Sequence, residues 1–232
     1  MPKLAYTLVA RIYPAIICSI PLYIFSFFYL QGLIPDFLSS MAHYQWVKGV
    51  TISVIFVYSM AQLVRLLGKV IEDHIFKHER EMPTTKMLLY GDTTFSEQQK
   101  DDLRHKIFKD FNIILPSSKT EQKNFSKVQQ RIAEAVARIR NQTRESKLLL
   151  QHLTEYGFAR NLVGGSIVGL FLSLINIFIF YVHENRVPLI ISIFTIVFYT
   201  ILLINGKKII VWYGRRYAKV LFAEYISKGR NG

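Results

Sequence analysis

Cysteine occurs once in this sequence, at Cys18. That excludes an intrachain disulfide framework and a cysteine-built zinc site. The common catalytic and nucleotide motifs are missing too. There is no G-x-x-x-x-G-K-[ST] phosphate loop, no G-x-G-x-x-G, no H-E-x-x-H and no G-x-S-x-G elbow. The expectation is therefore a protein that is not an enzyme, with no metal and no cofactor.

Carboxylates are scarce: 16 Asp and Glu stand against 29 Lys and Arg, for a formal net charge of +13. A nucleic-acid partner is one reading of such an excess, but 51% hydrophobic content favours another. In a membrane protein, basic residues fix orientation and meet anionic lipid headgroups.

Charge is absent altogether from two long stretches. Neither Leu162–Val182 nor Val187–Ile204 contains Asp, Glu, Lys, Arg or His, and only His183, Glu184, Asn185 and Arg186 separate them. About 20 residues at 1.5 Å each match the roughly 30 Å hydrocarbon core of a bilayer. The pair predicts a transmembrane hairpin. A further span is expected over Ile12–Leu30, where Pro14 and Pro21 each lack a backbone donor and predict a kink. Another runs over Val47–Val64, following an external loop from Gln31 to Gln45 and carrying Lys48 near its outer end.

The fold class expected is an all-α membrane protein: four transmembrane helices in two hairpins with a mainly helical cytosolic insert. Residues 1–64 form the first hairpin, 65–161 the insert, 162–205 the second hairpin and 206–232 a basic amphipathic tail. Lys and Arg crowd the insert and tail and are nearly missing from the two short loops, so both termini and the insert belong in the cytoplasm. Within the insert, the second span is expected to continue as an amphipathic helix to about His78. Thr84 is read as a helix cap, and Thr94 or Ser96 opens a helix over Glu97–Phe111. A long helix from about Thr120 carries an apolar stripe of Phe125, Val128, Ile132, Ala135, Val136 and Ile139. In the tail, Trp212, Tyr213, Tyr217 and Phe222 interleave with Arg and Lys, as in an interfacial helix lying on anionic lipid.

Three kinds of candidate residue stand out. Gly165-Ser166-Ile167-Val168-Gly169 is a G-x-x-x-G packing pattern within an apolar segment, and Asn176 needs an interhelical partner. His74 and His78 share a helix face but lack a third metal ligand. Arg65, Lys69, Arg140, Arg144, Arg160 and Asn161 flank the cytosolic ends of two spans. They read either as lipid-headgroup and ion-pair partners or as a pocket for an anionic ligand such as a nucleotide.

The elements Arg65-x-x-Gly68-Lys69-x-x-Glu72, Pro83-Thr84-Thr85, Thr143-Arg144 and Tyr156-Gly157-Phe158-Ala159-Arg160-Asn161 resemble landmarks of a bacterial family of small multi-pass membrane proteins of unassigned biochemistry. The architecture also resembles the membrane effectors of antiphage-defence systems, with spans coupled to a cytosolic sensing insert. That resemblance implies an inner-membrane effector or sensor subunit that oligomerises and responds to a nucleotide or partner protein. A non-catalytic scaffold docking a cytosolic protein is the alternative. A transporter or intramembrane enzyme fits poorly, because the spans hold so few ionisable groups.

Overall fold

The computed structural model describes residues 2–29, 45–76, 82–123 and 125–228. The loop expected over 31–44, His78, Arg230 and the side chains of Trp46, Lys48 and Phe125 lie outside the described residues. Every regular element among the described residues is helical. The chain forms two compact units, one of residues 1–71 and 157–209, the other of 72–156 and 210–232.

The first unit begins with α1 (Pro2–Thr7), a π-helical turn (Leu8–Ile12), α2 (Tyr13–Cys18) and α3 (Ile20–Phe28). The axis bends by 42° at Ser19. Pro21 accounts for the break, since it has no N–H for the Ile17 carbonyl four residues back. The long helices α4 (Gln45–Ile75), α9 (Lys147–Val182) and α10 (Arg186–Ser227) supply the rest. These three are long and apolar enough to cross a membrane, and the bent pair makes a fourth if counted as one span.

The unit is apolar outside, and small polar side chains sit among the apolar ones within. Phe178, Phe194 and Ile204 are 69%, 71% and 74% exposed, whereas Ser166, Ser173, Asn176 and Ser192 are buried. Water would penalise such a surface; lipid tails would not. The buried hydroxyls are satisfied on their own helices, with Ser166 donating to Leu162 O and Ser192 to Pro188 O. Helices α9 and α10 pack as an antiparallel pair around a turn at His183–Asn185. Glu184 takes a left-handed conformation there (φ 54°), and Ser173 meets Thr195 across the pair at 2.8 Å.

The second unit has a conventional apolar core. It gathers Leu103 and Ile107 of α6 (Glu97–Phe111) with Val128, Ile132, Ala135, Val136 and Ile139 of α8 (Phe125–Gln142). The short α5 (Pro83–Lys86) and α7 (Ser118–Lys123) complete the set. Helix α6 opens on a capping box, Ser96 accepting from Gln99 N while Gln99 accepts from Ser96 N. It closes on Asn112 in the left-handed region.

Two expectations are corrected. Thr84 caps nothing: Met82 holds the N-cap position of α5, Pro83 supplies its first residue, and Thr84 is buried. The tail is no separate interfacial helix either. Helix α10 runs unbroken for 42 residues, about 63 Å, or twice the bilayer core. Tyr217, Ala218, Leu221, Phe222 and Tyr225 on its last turns are buried in the core of the second unit. Of the aromatic residues assigned to lipid, Tyr217 and Phe222 are covered by protein, whereas Trp212 is 52% exposed.

Candidate functional site: the helix crossing and its cations

The landmark residues meet in pairs. In the first unit α4 and α9 cross at two glycines. A Cβ on Gly164 would fall 2.7 Å from the Leu67 carbonyl carbon and nearer still to the backbone of Gly68. A Cβ on Gly68 would lie 2.9 Å from Asn161 Oδ1 and 3.0 Å from the Arg160 carbonyl oxygen. Only hydrogen fits at either position, so the two backbones touch.

Asn161 is consumed by this crossing. Its buried amide donates to the Ala10 carbonyl at 2.6 Å and its oxygen accepts from Arg160 Nε at 3.2 Å. The Ala10 carbonyl is the one that Pro14 cannot serve. The same device recurs one proline later: the Tyr199 hydroxyl donates at 2.7 Å to Ile17 O, the carbonyl that Pro21 leaves free. Asn176 donates at 2.7 Å to Pro21 O. Three side chains from α9 and α10 thus satisfy the backbone of the bent first helix, where apolar surroundings make an unpaired carbonyl costly.

The glycine pattern sits on the same face. A Cβ on Gly165 would come within 2.5 Å of Cys18 Sγ and 2.9 Å of the Val64 methyls. One on Gly169 would strike the Tyr199 ring at 2.5 Å. Partners from within the chain fill that face.

Of the six cation-site candidates, Arg65, Lys69, Arg160 and Asn161 belong to the first unit, and Arg140 and Arg144 to the second. Arg65 and Arg160 are partly buried and Lys69 is exposed. Arg140 donates to Thr84 Oγ1 at 3.3 Å and lies 5.9 Å from the Tyr217 ring centre. Arg144 is exposed and makes no side-chain hydrogen bond or ion pair among the described residues. Also in the second unit, the Tyr156 hydroxyl donates to the buried Glu72 carboxylate, and the Tyr156 ring stacks on Tyr217.

Sequence reasoning missed a second basic pair. Lys100 and Arg104, one turn apart on α6, clamp the loop before that helix. Lys100 is 4% exposed; it donates to Leu89 O and Tyr90 O at 3.0 Å and to Asp92 O. Arg104 donates to Leu88 O at 2.9 Å and Pro116 O at 2.7 Å, and its guanidinium covers the Tyr90 ring at 4.0 Å. Glu121 accepts from Tyr90 N with both oxygens, at 3.2 and 3.1 Å. The i, i+4 spacing of the two cations was visible, but nothing local marks which carbonyls they would serve. Among the described residues, no group of three His, Cys, Asp or Glu stands close enough to hold a metal.

Comparison with family models, curated proteins and solved structures gives no match.

Proposed function

We propose that this chain is a multi-pass membrane effector or sensor subunit of a bacterial defence-type system. The helical unit of residues 72–156 and 210–232 receives a cytosolic signal, and the apolar unit acts on the bilayer. One observation carries the reading: helices α4, α9 and α10 each run without a break from the apolar unit into the polar one. A hydrogen-bonded helix transmits displacement along its axis far better than a loop, so a ligand bound to the polar unit has a direct mechanical route to the spans. The exposed Arg144, held beside the buried Thr143 at the end of α8, and the architectural resemblance to defence effectors support the same assignment.

The test is to insert four glycines between Ile209 and Ile210, which breaks α10 at the junction. Membrane potential is then followed with a voltage-sensitive dye in bacteria expressing each chain. Depolarisation is expected with the native chain and absent with the insertion, at equal abundance in the membrane fraction. Depolarisation by both chains would reject transmission through α10. Intact potential in both, with a stoichiometric cytosolic protein co-purifying, would replace the effector reading by the scaffold alternative.

A further inference from the structure

Three partly buried arginines come to one level of the first unit. The Asn161 bond to Ala10 O holds the residue before Arg11 against the residue after Arg160, whose Nε donates to the same Asn161. The contact of Gly68 with the Arg160 carbonyl brings Arg65 and Lys69 within a turn of them. Gly206, against which Val163 packs, places Lys207 and Lys208 at that end as well.

Arg11 and Arg65 have no carboxylate bonded to them among the described residues. Within 1–71 and 157–209 the only acidic residues are Asp36 and Glu184. Glu184 lies in the turn at the far end of α9, and Asp36 is outside the described residues. On α4, Glu72 and Asp73 stand about two turns beyond Arg65 and one turn beyond Lys69, and Glu72 accepts from Tyr156. Arg11 lies 5.5 Å from the Tyr6 ring centre, and its Nε is buried with no hydrogen-bond partner. Arg65 is partly buried and has no hydrogen bond or ion pair among the described residues. A guanidinium drawn out of water without an anion is costly, and its forked donors match phosphate oxygens.

We infer that this end of the first unit binds a phosphate group, with Arg11 and Arg65 as its direct ligands and Arg160 and Lys69 beside them. The exposed apolar faces of α9 and α10 end at this level, which is where the headgroups of a bilayer would lie, so an anionic phospholipid is the best-placed source. A free phosphate compound offers the same chemistry. The inference rests on the membrane reading of this unit and not on signalling by the other.

The full chain, purified in a neutral detergent, is titrated with phosphatidylglycerol and, separately, with pyrophosphate, and its melting temperature is followed. A concentration-dependent rise is expected for the native chain. For Arg11→Gln and Arg65→Gln the apparent affinity should fall about tenfold each, the loss of one charge-assisted hydrogen bond, while Lys119→Gln should leave it unchanged. A response to phosphatidylglycerol alone assigns the site to lipid; a response to pyrophosphate as well assigns it to phosphate from either source. Equal responses in the native chain and both arginine variants would overturn the site. Should those variants fail to accumulate, a photoactivatable phosphatidylglycerol is cross-linked to the native chain. Label on peptides holding Arg11, Arg65 or Arg160 supports the site, and label confined to other peptides overturns it.

Discussion

Replacing Gly164 by alanine puts one methyl group where two helix backbones touch. The new carbon would stand 2.7 Å from the Leu67 carbonyl carbon and closer to Gly68. Both obstacles are main chain, so no side-chain rotation relieves the clash. Helices α4 and α9 must separate by about an ångström, enough to forfeit much of the dispersion energy along the seam. The bond from Asn161 to Ala10 O, anchored one turn away, would lengthen with it. Overpacking of this kind costs about 1–3 kcal/mol, and the weakened bond adds about 1 kcal/mol. For a chain of this size that corresponds to a fall in melting temperature of about 5–15 °C. Gly91 is the control, because a Cβ there meets nothing within 4 Å. Thermal unfolding of the detergent-purified protein, read by the loss of monodisperse material on size exclusion, makes the comparison. A Gly164→Ala melting temperature within about two degrees of Gly91→Ala, a stability difference of roughly half a kcal/mol, would refute the backbone-contact crossing.

Two further outcomes are expected by the same assay. Tyr199→Phe keeps the ring against Gly169 but removes the hydroxyl from Ile17 O; the loss is about 1–2 kcal/mol, and an unchanged melting temperature would mean that carbonyl finds another donor. Lys100→Met strips a donor from three carbonyls of the 89–92 loop. It should cost about 2 kcal/mol and open that loop to limited proteolysis, whereas native-like resistance would show that Arg104 holds the loop alone.

Much of the fold could be read from periodicity. Helix α6 spans Glu97–Phe111 as the spacing predicts, and the α8 stripe from Val128 to Ile139 is the core of its unit. On α6, Leu103, Ile107, Phe108 and Phe111 recur at helical spacing, yet Phe108 is 45% exposed, because helical period locates a stripe and not its edge. The tail failed for a related reason. Its apolar positions recur at helical spacing whether lipid or protein covers them, and only the packing partner distinguishes the two. At the site, Pro14 and Pro21 announced two carbonyls in need of donors, but the donors Asn161 and Tyr199 lie 151 and 182 residues away. Glycine spacing advertised Gly165 and Gly169, while Gly68 and Gly164, on different helices, make a contact that no run of sequence displays. Arg11 belongs to no motif in the sequence, and only the burial of its Nε without a hydrogen-bond partner gives it a chemical part.

Whether lipid surrounds the apolar unit, with the polar unit on the cytoplasmic side, is decided most directly by cysteine accessibility. Cys18 is buried and supplies the blank. New cysteines are placed at Ser118 in the polar unit and at Asn185 in the turn between α9 and α10, and intact spheroplasts are treated with a membrane-impermeant maleimide. Labelling is expected at position 185 at once and at position 118 only after permeabilisation, with the chain in the detergent-requiring fraction. Labelling at 118 in intact spheroplasts, or recovery of the chain in solution without detergent, would contradict the arrangement.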